Sequence, residues 1–289
     1  LAHLILEADI SRYSAAPAPT TVDAAVSLHN NIRDTLGSGY ETFLQGSYKN
    51  DTGIVDINDV DIVALRKQTT STHFTGTVAR YPITWDEIFQ EIQSKLEGSY
   101  HYRGKTERSD KCITVNTNFK ADVVPAIFIS SDGLDPISIY SFRGLSERKN
   151  FPRVHYYNNI QKHARTSKVY KSLVRMFKRW TKNWFPHKKI APSFYIECLI
   201  YNVPDENFVS DRAVSLSLIG NYIINNYTRN SIIMSVANDK DILTNQEWNP
   251  DNFEVFQTQL KASVSKIDRA LKATSLVEAR RLWLEAFNE

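Results

Sequence analysis

Cysteine and methionine are scarce in this chain, two of each among 289 residues. Cys112 and Cys198 sit among apolar neighbours without CxxC or Cys/His spacing, which excludes a disulfide-built fold and a zinc site of ordinary spacing. They read as buried free thiols of a reducing compartment. No apolar run approaches the roughly 18 residues of a membrane span, and no signal-peptide pattern opens the chain. A soluble, cytoplasmic protein is the expectation. Repeats and low-complexity tracts are also missing, which excludes solenoids and disordered tails. Acid is absent locally: from Arg148 to Ile196 there are 13 Lys or Arg and no Asp or Glu. The remainder carries 22 basic and 32 acidic residues, a net charge of −10 within a chain of +3. A basic block beside an acidic body suits a polyanionic ligand with a cationic metal nearby; a solvated helix face explains the block equally well.

Hydrophobic residues make up 42%, enough for a substantial core. Residues 1 to 13 have a helical pattern, APAPT breaks it, and Thr21 resembles the N-cap of a helix running to about Leu36. Asp59 to Leu65 alternates as a strand does. WDEIFQEIQSKLEG, residues 85 to 98, is an amphipathic helix, and residues 111 to 129 read as one or two strands of the same sheet. SDGLDP, 131 to 136, is a turn. Beyond about residue 150 the chain becomes mainly helical, beginning with one long helix-like stretch, YYNNIQKHARTSKVYKSLVRMFKRWTKNW. The division expected is residues 1–150, mixed α/β, and residues 151–289, helical.

Four aspartates fall within QGSYKNDTGIVDINDVDIVAL: Asp51, Asp56, Asp59 and Asp61. Asp51 and Asp56 suit a loop. On a strand Asp59, Asp61, Val63 and Leu65 share one face and Val60, Ile62 and Ala64 the other. Two carboxylates on one face repel each other and lose hydration if buried, so something compensates them. A hard divalent cation, Mg2+ or Mn2+, does so most simply. Asp122, in FKADVVPAI, is a third candidate with only Lys120 as a local basic partner. If its strand lies beside the first, the three acids can hold two metal ions, the arrangement of phosphoryl and nucleotidyl transfer. Gly46-Ser47 precedes Asp59 by about a dozen residues; Gly lets the backbone approach a phosphate and Ser adds a hydroxyl donor.

These motifs together resemble the nucleotidyltransferases of the DNA polymerase β superfamily. RMFKRW (175 to 180), PSFYIECL (192 to 199) and the closing pattern of Ala270, Glu278, Ala279, Trp283 and Phe287 narrow the resemblance. They are similar to oligoadenylate synthetases and the bacterial cGAS/DncV-like enzymes, the CD-NTases. The resemblance implies an α+β fold, a polymerase-β-like palm with a mixed sheet packed against a C-terminal helical domain, with the active site in the cleft between them. It implies that Asp59, Asp61 and Asp122 are catalytic and bind two Mg2+ ions, and that Gly46, Ser47, Lys178 and Ser193 meet the triphosphate. Phe194 falls where the family often has a base-stacking Tyr; its ring can stack, without the hydroxyl's hydrogen bond. The implied activity is synthesis of a cyclic di- or trinucleotide second messenger from NTPs, with release of pyrophosphate, in bacterial anti-phage signalling. NTP substrates are implied, a regulatory protein is compatible, and neither a membrane nor a long nucleic acid is expected.

Two other functions fit fewer features. A transferase acting on an RNA end or a protein hydroxyl would use the basic block, but no added RNA-binding module is visible. A silent nucleotide sensor would not need three costly acids. Within the block, Lys168, Lys171, Arg175, Lys178 and Lys182 fall opposite the apolar face of Val169, Leu173, Met176, Phe177, Trp180 and Trp184, a position that implies exposure to solvent or to a cleft. His155 and His163 lack metal-ligand spacing. Asn150, Asn158 and Asn159 suit base-edge contacts or turns.

Overall fold

The computed structural model describes residues 2–55, 57, 59–68, 70–74, 78–129, 135–186 and 190–289, with the backbone alone at 70–74 and 78–81. Asp56 and the 131–134 portion of the SDGLDP turn lie outside the described residues. The chain folds into two compact units. One comprises Pro17–Asn50 and Asp56–Val154, the other Leu1–Ala16, Asp51–Val55 and His155–Glu289. The boundary near residue 150 is therefore one of four crossings between them.

The first unit is a mixed sheet with helices. Helix α2 (Pro19–Leu36) buries Ala25, Leu28, Ile32 and Leu36, one stripe at helical spacing. It starts two residues before Thr21, because a proline in the first turn loses no helical hydrogen bond and arrives with its φ already set. Helix α4 (Trp85–Gly98) begins with a capping box, Thr84 with Glu87, and buries Ile88, Phe89, Ile92 and Leu96. The sheet runs in the order β1 (Tyr40–Gln45), β2 (Asp59–Arg66), β7 (Lys120–Phe128), β6 (Ile113–Val115), β5 (Thr106–Arg108). Strand β8 (Ile137–Ser141) also pairs with β7, and β9 (Ser146–Asn150) with β8. Only β2 and β7 are parallel; the other pairs are antiparallel. The five-residue helix α3 (Gly46–Asn50) follows β1, and β3 (Thr70–Phe74) and β4 (Val78–Pro82) form a separate hairpin.

The alternation expected for β2 is observed. Val60, Ile62 and Ala64 join the core built by α2 and α4, together with Ala121 and Val123. Val63 and Leu65 face the other way, against Ala126, Ile137, Phe43 and Ile139.

The second unit is helical: α1 (Glu7–Ser14), α5 (Pro152–Arg165), α6 (Tyr170–Trp184), α7 (Ser193–Tyr201), α8 (Arg212–Asn226), α9 (Pro250–Lys272) and α10 (Leu276–Ala286). Tyr13 of α1 stacks on Phe287 with ring centroids 3.7 Å apart and meets Trp283 edge-on. The stretch read as one long helix is two, α5 and α6. Ser167 and Lys168 break it by adopting left-handed backbone, φ 50° and 63°, without a glycine or proline to signal the turn.

Candidate active site

Register builds the acidic cluster. Parallel pairing sets Asp61 opposite Asp122 and Asp59 opposite Lys120. Residues paired this way project to one face, so Asp59, Asp61 and Asp122 share it. Val63 and Leu65 continue that face under cover, whereas Asp59 and Asp61 are exposed and Asp122 is half-buried. The acids thus occupy the end of the strand pair that the apolar layer leaves open.

Gly46 completes this corner. Gln45 pairs with Asp61 across the antiparallel β1–β2 ladder, and the chain then turns at Gly46 with φ 66°. A Cβ at that position would stand 2.6 Å from Asp61 Oδ2. Glycine meets both demands, a left-handed backbone and a close approach to the carboxylate. Ser47 follows directly in α3, so the Gly-Ser pair sits beside the acids in space as well as near them in sequence.

The electrostatics are those of under-compensated negative charge. Loss of water around its carboxyl pushes the Asp61 pKa from 3.8 up to about 6, with Asp122 and then Asp59 adding repulsion and Lys120 opposing. Thr114 Oγ1 donates to Asp122 Oδ1 at 2.7 Å, and Lys120 Nζ lies 3.6 Å from the same oxygen. Burial and Asp59 raise Tyr48 to about 12, and its buried hydroxyl has no partner among the described residues. Burial and Asp122 push the Cys112 thiol up to about 11. Cys112 is half-buried, less enclosed than its apolar neighbours implied, while Cys198 is buried as expected.

Repelling acids, a raised carboxyl and an orphaned buried hydroxyl fit a hard divalent cation, and the all-oxygen donor set fits Mg2+ or Mn2+. The acids are adjacent without being drawn together. Among the described residues, no three His, Cys, Asp or Glu groups already stand as a metal's ligand set.

Lys178, Ser193 and Phe194 belong to the helical unit. Ser193 opens α7 after Pro192 and is exposed. The Phe194 ring is 39% exposed, stacks on His155 with centroids 5.8 Å apart, and has Lys240 Nζ 5.7 Å from its centre. It is an aromatic face presented outward and backed by a second ring. Lys178 is buried, where its helical angle implied exposure. Its ammonium donates to Glu197 Oε2 at 2.9 Å, Thr52 Oγ1 at 3.0 Å and Thr52 O at 3.2 Å.

The residue that sequence reasoning missed is Glu197. Its Oε2 accepts from Thr52 Oγ1 at 2.7 Å as well as from Lys178, and its Oε1 accepts from His155 Nε2 at 2.9 Å and Asn159 Nδ2 at 2.7 Å. Tyr170 in turn donates to Asn159 Oδ1 at 2.6 Å. Burial alone would raise the Glu197 pKa; the Lys178 charge and the His155 hydrogen bond overcome it and hold the carboxyl far below its usual range. The available signal was a lone acid inside the apolar helix SFYIECLIY, which demands a buried partner.

Comparisons with known proteins agree with this geometry. The profile of the cGAS/DncV-like nucleotidyltransferase C-terminal helical domain matches residues 157–265. The chain is 32% identical over 229 residues to a cyclic UMP-AMP synthase of Rhodothermus marinus, covering 70% of this chain and 77% of that protein. It is 31% identical over 223 residues to a cyclic dipurine nucleotide synthase of Elizabethkingia meningoseptica, covering 67% and 75%. The solved structure of the Rhodothermus marinus c-UMP-AMP synthase with Apcpp and Upnpp superposes with a TM-score of 0.74 at 25% identity, over 89% of this chain and 95% of that one. Among the described residues no helix is long and apolar enough to cross a membrane.

Proposed function

Since the chain belongs to the cGAS/DncV-like nucleotidyltransferases, we propose that it joins nucleoside triphosphates into a cyclic di- or trinucleotide, releasing one pyrophosphate for each bond formed. The observation that carries this reading is the placement of Gly46 and Asp122 on either side of Asp61. A phosphate-approaching turn and the acids of a transfer site occupy one corner.

Asp59, Asp61 and Asp122 would hold two Mg2+ ions, with Mn2+ as a substitute of similar oxygen preference. When bound, such a pair neutralises charge at the attacking and leaving oxygens. The chain's own groups do the rest. Gly46 lets the backbone reach the triphosphate, and Ser47 offers its hydroxyl there. Thr114 occupies Oδ1 of Asp122 and fixes the plane of that carboxylate. Oδ2 is left to take the proton of the attacking ribose hydroxyl as its oxygen bonds to the α-phosphorus and pyrophosphate departs. Ser193 donates to phosphate, and Phe194 stacks on a base with His155 behind it. Closing the ring repeats the step, with the free hydroxyl of the linear intermediate meeting its own triphosphate. The cellular role we attach to the product, from the family resemblance, is that of a second messenger in anti-phage signalling.

Purified protein with Mg2+ and the four mixed NTPs, without nucleic acid, should release pyrophosphate and form a short product resistant to phosphatase. Ring closure leaves no terminal phosphate, and mass spectrometry reads its bases and size. A phosphatase-sensitive ladder would show a polymerising transferase. Labelling of an added RNA or protein, without a free product, would show an acceptor-directed one.

A further inference from the structure

The basic face of α6 was read from sequence as a surface for polyanions. In the structure three of its cations grip the chain's own Asp51–Thr52 peptide. Arg175 Nη1 donates to the Asp51 carbonyl at 2.7 Å and stands 3.5 Å from its Oδ1, while Lys171 Nζ is 3.5 Å from Oδ2. Lys178 holds both the carbonyl and the hydroxyl of Thr52. Residues 171, 175 and 178 recur at helical spacing, so one face of one helix makes the whole grip. Thr52 is fully buried, and Glu197 locks the arrangement from below by accepting from both Thr52 and Lys178.

An ammonium has three donors. Those of Lys178 are all spent within the protein, on Thr52 O, Thr52 Oγ1 and Glu197 Oε2. None remains for a phosphate oxygen. The gripped segment also has a telling place in the chain. It begins immediately after α3, which carries Gly46 and Ser47, and ends four residues before Asp59.

We propose that Lys178, Thr52 and Glu197 form a positioning clamp, in which Lys178 contacts no triphosphate and instead fixes the segment joining the Gly-Ser turn to the first carboxylate strand. The idea rests on the nucleotidyltransferase reading for its kinetic consequence and on the observed hydrogen bonds for the clamp itself. Holding Asp51–Thr52 restricts the orientations open to the chain on both sides of it. Loss of the grip therefore acts on attack geometry, which appears in kcat, and spares the contacts that bind nucleotide.

Thr52→Val removes one hydroxyl at nearly constant volume and leaves the buried Lys178–Glu197 pair intact, so it folds more safely than Glu197→Gln. Thr52→Val, Lys178→Met and their combination would be compared with wild type by pyrophosphate release and by hydrogen exchange of the 51–55 amides. Thr52→Val should lower kcat about tenfold with KM for NTP within about twofold, and Lys178→Met should act in the same direction. The double variant should be no worse than Lys178→Met alone, the mark of groups acting as one unit. Exchange at 51–55 should quicken in both single variants while the α9 amides keep their rates. A rise in KM of about tenfold or more for Lys178→Met at constant kcat, with Thr52→Val like wild type, would make Lys178 a triphosphate ligand and overturn the clamp. So would unchanged exchange at 51–55. If the wild-type protein releases no pyrophosphate, the nucleotidyltransferase reading fails, and the exchange result still decides the clamp.

Discussion

Replacing Asp61 by Asn should make the metal-free protein more stable, and the size and sign of the change follow from its surroundings. Water loss, Asp122 and Asp59 lift the Asp61 pKa from 3.8 to about 6. An acid whose pKa is higher in the folded than in the unfolded chain disfavours folding once it is ionised in both. Between those two values the folded state binds the extra proton, so this group's contribution to stability falls as pH rises through about 6. It is most favourable below 3.8 and most costly above 6. A fully enclosed group with that shift would cost about 3 kcal/mol at neutral pH. Asp61 is exposed on its open side, and solvent screening leaves about 1 kcal/mol. For a unit of this size that is about 2–4 °C in Tm. In EDTA at pH 7.5 the Asp61→Asn protein should melt higher by that amount, and the gap should close near pH 5, where the wild-type acid is protonated. Calorimetry of both proteins across this range is the assay. A variant that melts no higher at pH 7.5, or a gap independent of pH, would refute the account of Asp61 as an under-compensated charge. Added Mg2+ should reverse the order by stabilising wild type alone.

Asp122→Asn should keep the fold and reduce pyrophosphate release by about 100-fold or more, because it removes a charged group from a site that works by charge; near-normal turnover would remove Asp122 from the catalytic set. Gly46→Ala should cost about 1–2 kcal/mol for the left-handed backbone and displace Asp61 besides, lowering both Tm and turnover; a Tm equal to wild type would show that the corner relaxes freely. Phe194→Ala should raise KM for NTP by about fivefold, from about 1 kcal/mol of lost stacking, whereas Phe194→Tyr should leave it near wild type. An unchanged KM in the alanine variant would take Phe194 out of base binding.

The acids were legible because alternation of charge within an apolar run has few physical explanations. Asp59 and Asp61 had to share a face, and Asp122 needed only a neighbouring strand to join them. The α4 boundaries were legible for a similar reason, with an apolar stripe framed by Thr84 and Gly98. The grip of α6 on Asp51–Thr52 was not, since its bonds go largely to backbone carbonyls more than 120 positions away, and a carbonyl leaves no mark in a sequence. Lys178 had the helical angle of an exposed residue and became buried because a remote peptide covers it. The break between α5 and α6 was hidden too, because Ser167 and Lys168 adopt conformations that residue type alone does not announce.

The way the helical unit is assembled has a practical consequence for anyone wishing to express it alone. A fragment starting at His155 would lack α1, and with it Ile5, Ile10 and Tyr13, all within the same apolar core as Trp283 and Phe287. The ring of Phe287 would lose its stacking partner. The same fragment would lack Thr52, leaving the Lys178–Glu197 pair without the hydroxyl both of them use. A cut at residue 155 therefore yields a piece with an open hydrophobic hole and an under-bonded buried ion pair, a recipe for inclusion bodies. A soluble version of this half needs residues 1–16 fused back on, and a short peptide spanning 51–55 supplied in trans is its natural stabilising additive.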